Sequence, residues 1–179
     1  MSKLSEKIVV IATEDLGQKE KPNNSGFVSE TKERLMKLVG WQKGDSWCAF
    51  NAESYWQQAF DLEDTDNAKL VAKYFSGNAV QTWKNFRASK EFKTDPKKPL
   101  IGSIAVWQKY ANGKPTTQGH IGIVSKVLSS VSFECIEGNT SEKGSREGTI
   151  VGINRRIIGN PINPNGLNLL GFVYPDVMA

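Results

Sequence analysis

The hydrophobic pattern predicts an α+β domain, because its period changes part-way along the chain. Up to Phe86 apolar residues recur at helical spacing, whereas from Gly102 onward they gather in short runs bounded by Gly, Pro and Asn. Helices first and antiparallel strands after describe helices packed against one sheet. The chain has 179 residues, enough to bury a sizeable core. No repeat, low-complexity tract or linker divides it, so residues 1–179 are expected to form a single domain.

Ile8, Ala12 and Leu16, with Val9 and Val10 beside them, line a first helix that Gly17 should stop. "EKPNNSG", Glu20 to Gly26, is a loop by its Pro, Asn and Gly content. Val28, Thr31, Leu35, Leu38 and Val39 predict a second helix ending at Gly40. After Cys48, the residues Ala49, Ala52, Tyr55, Trp56, Ala59 and Phe60 form the broad apolar stripe of a core helix. Leu70, Val71 and Tyr74, capped by Thr65 or Asp66, predict another, and Val80, Trp83 and Phe86 a shorter one. The expected strands are Gly102–Gln108, Gly119–Val127, Val131–Gly138, Thr149–Ile157 and Leu169–Pro175, with Asn112-Gly113 as a turn.

A net charge of +4 and a pI near 9 suit an anionic partner such as a bacterial wall, a membrane surface or nucleic acid, without choosing among them. No dense Lys/Arg run with interleaved aromatics occurs, which argues against nucleic-acid binding. The apolar stretch Ile8–Ala12 is too short for a membrane span or a signal-peptide core, and Thr13-Glu14-Asp15 follows it. The chain is therefore expected to be a monomer made in the cytoplasm without an export signal, and not to insert into membranes. Two cysteines and one histidine form neither a disulfide framework nor a zinc pattern. A bridge between Cys48 and Cys135 is left open.

"GDSWCAFNAESYW", Gly44 to Trp56, places Cys48 where a loop turns into the core helix. Asp45 or Ser46 is positioned to cap the helix, and a sulfur in the first turn lies where the helix dipole favours negative charge. Such positions lower a thiol pKa from about 8.5 toward neutrality, and the thiolate is the species that attacks. A backbone N–H there also suits an oxyanion. The base such a nucleophile needs has one candidate, His120 in "QGHIGIV", flanked by glycines that favour close approach. In "ECIEGNT", Cys135 and Glu137 share a strand face, Gly138 breaks the strand and Asn139 follows. A carboxylate or amide there could bind the second imidazole nitrogen and orient the ring.

Taken together, "LGQKEKPNNSG", "GDSWCAF", "PLIGSIAVW", "GHIGIV", "IEGNTSEKGSREG" and "LLGFVYP" resemble the CHAP family, the cysteine- and histidine-dependent amidohydrolases/peptidases, over nearly the whole chain. The resemblance implies a papain-like fold with Cys48 as nucleophile and His120 as base. It makes Glu137 and Asn139 the orienting residues and gives the Cys48 N–H to the oxyanion hole. Trp47 and Trp107 are candidates for the walls of a substrate groove. Ser103 stands where the family often has Asp, and the loop before Cys48 offers only Asp45 where some members bind calcium with several oxygens. No metal and no cofactor is expected.

The implied activity is hydrolysis of peptidoglycan amides, either between muramic acid and L-alanine or within the stem peptide and cross-bridge. A phage lysin released by a holin or carried in the virion is the favoured setting, with an injected antibacterial toxin next. A cytosolic thiol amidase and a non-catalytic wall-binding module are the rivals.

Overall fold

The computed structural model describes residues 2–140, 148–159 and 161–178. Five helices precede six strands among these residues: α1 (Lys3–Glu14), α2 (Glu30–Leu38), α3 (Cys48–Glu63), α4 (Thr65–Tyr74), α5 (Ala79–Ala88), then β1 (Phe92–Asp95), β2 (Ile104–Ala111), β3 (Lys114–Ser129), β4 (Ser132–Thr140), β5 (Ile150–Ile157) and β6 (Leu167–Val177). The strands form one antiparallel sheet in the order β1-β6-β2-β3-β4-β5. The fold is α+β, as the change of period predicts. Among the described residues no helix is long and apolar enough to cross a membrane.

Several boundaries differ from the sequence reading. α1 ends before Gly17, at an Asp15 C-cap, and α2 starts at Glu30 because the Ser29 hydroxyl accepts from Lys32 N–H. Val28 and Leu38 are therefore exposed rather than part of the apolar stripe. Strand β3 begins at Lys114, because Asn112 and Gly113 both take positive φ and turn the chain directly back onto β2. The short β1 carries too few residues to show a period, and among the described strands it pairs with β6.

Helix α3 is the axis of the molecule. Its Trp56 meets Phe60, Phe75, Phe86 and Phe92, and the indole N–H donates to the Gly102 carbonyl at 3.1 Å. Ile104, Val106, Ile121, Ile123, Ile136, Val151 and Val173 cover the helix side of the sheet. The alternate residues Ala105, Trp107, Val124, Phe133, Cys135 and Phe172 form a second core on its other side.

One irregularity positions the site. The β3–β4 ladder begins at Ile123↔Ile136 and runs to the hairpin end. Earlier β3 residues pair with β2, while Glu137 pairs across to β5. The sheet thus opens between β3 and β4, at the level of His120 and Glu137.

Candidate active site

Cys48 opens α3 and is 7% exposed. The expected cap is corrected: the N-cap is Trp47, and no side chain caps the helix. Asp45 instead folds its own loop, its carboxylate accepting from Gln42 N–H at 3.1 Å and its carbonyl from Trp41 Nε1 at 3.1 Å. First-turn N–H groups that no side chain occupies are available to an anionic group at Cys48.

Trp47 sets the position of that helix start. It is fully buried, edge-on to Phe27 at 5.1 Å, and a side chain at Gly138 would run into its ring and into Asn51. The absence of a Cβ at Gly138 lets β4 approach the first turns of α3. Trp47 therefore packs the cysteine from behind rather than offering a face to a groove.

His120 is wholly buried, with Nε2 2.9 Å from Glu137 Oε2. With Nε2 so engaged, Nδ1 is the nitrogen left for Cys48; it has no hydrogen-bond partner among the described residues, although the sulfur lies near enough to act on the ring. Burial alone pulls the imidazolium down. The neighbouring Cys48 sulfur and the Glu137 carboxylate more than reverse this, so the ring is pushed up to about 9. Burial likewise pushes the Glu137 carboxyl up, but His120 and Arg156 outweigh it and hold it below the usual carboxylate range.

His120 thus has the Glu137 carboxylate on one nitrogen and the Cys48 sulfur near the ring, the residue types of a nucleophile, a base and an orienting group. Asn139 does not join them. It is buried with a left-handed φ of 55°, its carbonyl accepts from Gly148 N–H at 3.2 Å, and no bond reaches the imidazole. Residues 141–147, part of the stretch "IEGNTSEKGSREG", lie outside the described residues. Trp107 sits opposite His120 in the β2–β3 ladder, 6.0 Å from the imidazole between centroids and 5% exposed. It shields the imidazole and its carboxylate on the sheet's outer side.

Two residues of this site lie on a strand that motif reading left without a role. Asn154 Nδ2 donates to Glu137 Oε2 at 3.1 Å, and Arg156 donates to both carboxylate oxygens. Both side chains fall on the Glu137 face because Gly152, Asn154 and Arg156 alternate along β5. The alternation is visible in "TIVGINRRI"; the register that puts it beside Glu137 is not.

A buried polar cluster lies on the far side of Gly138. Asn51 binds Lys32 Nζ and Tyr55, while Lys32 and Tyr55 both bind Asp15. Burial pulls the Lys32 ammonium down, and Asp15 opposes it. Cys135 is free, as is Cys48, and burial pushes its thiol well up, with Glu137 adding to that. Among the described residues no group of three or more His, Cys, Asp and Glu side chains could hold a metal ion.

The sequence matches the CHAP domain over residues 36–139, from the end of α2 through Cys48 and His120 to Asn139. No curated protein matches the chain. That match covers more than half of the chain and spans the cysteine and histidine that the fold brings together, and the chain belongs to the CHAP family.

Proposed function

We propose that this protein is a cysteine-dependent hydrolase of bacterial cell-wall amides. Peptidoglycan hydrolase or amidase chemistry comes with the family; the nucleophile, the base and the bond are the finer reading. The observation that carries it is the His120–Glu137 pair with the Cys48 sulfur beside the ring, at an uncapped helix start.

His120 Nδ1 takes the Cys48 proton, and the thiolate attacks the amide carbonyl carbon. The oxyanion forms against the Cys48 N–H and the positive end of α3. The imidazolium then protonates the leaving amine, the C–N bond breaks and a thioester remains. Water, losing a proton to His120, attacks the thioester; the carboxylic acid departs and the thiol is restored. Glu137 keeps the proton-bearing nitrogen fixed throughout. The mildly basic surface suits the anionic wall.

The test is loss of turbidity of purified cell walls, with mass spectrometry of the released muropeptides to name the bond. Cys48→Ala should lower hydrolysis at least about a thousandfold while wall binding persists, since the residues of such a unit fail together. An active Cys48→Ala protein would sink the nucleophile assignment. Wall binding without any hydrolysis by the unaltered protein would favour a binding module.

A further inference from the structure

Glu137 has no exposed surface, and the imidazole is only one of the groups that satisfy it. Oε1 accepts from Arg156 Nε at 2.6 Å, while Oε2 accepts from Asn154 Nδ2 and Arg156 Nη2 and faces His120 Nε2. The guanidinium therefore grips both oxygens, which fixes the plane of the carboxylate as well as its place. Arg156 in turn lies over the Trp107 ring, 5.2 Å from its centroid. Both side chains line a groove of about 600 Å³ on the outer side of the sheet. They stand between that groove and the carboxylate.

We propose that Arg156 is a positioning residue of the hydrolytic reaction: its fork holds Glu137 ionised and in plane, so that His120 keeps Nδ1 toward Cys48 and can give up its proton to the departing amine. This rests on the reading of Cys48, His120 and Glu137 above. The physical need for the cation follows from burial. When the imidazole is neutral, Glu137 still has Arg156 as counter-charge, and the buried set carries no bare charge. Without Arg156, every proton that leaves His120 would strand a carboxylate in dry surroundings, so the imidazolium would cling to its proton. A lysine would restore the charge but not the fork.

The experiment compares the unaltered protein with Arg156→Gln and Arg156→Lys. It reads kcat against pH on wall substrate, the pH dependence of Cys48 alkylation by iodoacetamide, and the His120 ring titration by NMR. Arg156→Gln should move the alkaline limb and the ring titration upward by about one unit or more and lower kcat by about tenfold or more. Arg156→Lys should leave the titration within a few tenths of a unit and lower kcat by about tenfold through the lost fork. A folded Arg156→Gln protein with unmoved limb and titration would overturn the proposal, since a packing role shifts neither. Should that variant not fold, Arg156→Lys decides, and full kcat in it would likewise overturn the proposal. Alkylation and titration need no wall substrate. If the unaltered protein cleaves no wall, the proposed function fails while these measurements still report on Arg156.

Discussion

Glu137 and Asn139 are two residues apart, yet the backbone treats them differently. Glu137 continues the strand and reaches His120, whereas Asn139 has turned to a φ of 55°, with its backbone carbonyl bonded to Gly148 and no bond to the imidazole. Glu137→Gln keeps the shape but removes the charge that holds the imidazolium up. The rate should fall without vanishing, and the ring should titrate below its present value of about 9. Asn139→Ala should leave the ring titration near that value. An NMR titration of His120 in the two variants reads both outcomes; equal shifts would return Asn139 to the role of orienter. Cys135 supplies a control. Its thiol is fully buried and pushed well up, so iodoacetamide near neutral pH should label Cys48 faster. Cys135→Ala should cost about 1–2 kcal/mol of stability and little rate.

Helix α3 carries the proposed nucleophile at one end and a buried acid along its length. Glu53 is 7% exposed, and burial pushes its carboxyl up to about 7 even though Gln57 donates to it at 2.8 Å. A carboxyl raised in the folded state holds its proton there while the unfolded chain releases it. Stability is therefore lost as pH rises from the ordinary value of 4.5 through about 7. Glu53→Gln keeps the acceptor for Gln57 and removes that loss. It should raise stability at pH 8 by roughly 3 kcal/mol or somewhat less and do little at pH 4, as paired denaturant melts would show. The cysteine end of the helix is set by Gly138. A Cβ there would stand 2.6 Å from both Asn51 Nδ2 and Trp47 Cζ3. Gly138→Ala should destabilise by about 1–3 kcal/mol and lower activity as well, because the displaced ring carries the start of α3.

At the scale of the whole molecule, the site itself makes stability depend on pH. The folded state raises the His120 ring from its ordinary 6.5 to about 9. A base raised on folding adds stability that is fully present below the unfolded value and disappears as pH climbs through the folded one. Thermal or denaturant melts should therefore show stability falling between pH 6.5 and about 9. The fall should flatten in His120→Asn, which cannot take the proton. A slope unchanged by that substitution would mean that the ring does not hold its proton across this range.

Much of this was legible in the residues. The change from helical to strand period foretold the order of layers. A thiol at the start of an apolar stripe, one histidine between glycines, and a carboxylate and an amide on the strand that follows marked Cys48, His120, Glu137 and Asn139 as candidates, without choosing between the last two. These signals are local, since they depend on spacing along one element, and a sequence displays spacing. Strand register is different, because it is set by side chains packing across elements far apart in the chain. Only the fold decided that the sheet opens between β3 and β4, that β5 brings Asn154 and Arg156 onto the same carboxylate, and that Trp47 faces inward. Nor does the sequence alone tell a capping side chain from one that binds its own loop. Asp45 carries the right atoms for α3 and spends them on Gln42, because the loop ahead of the helix folds back on itself.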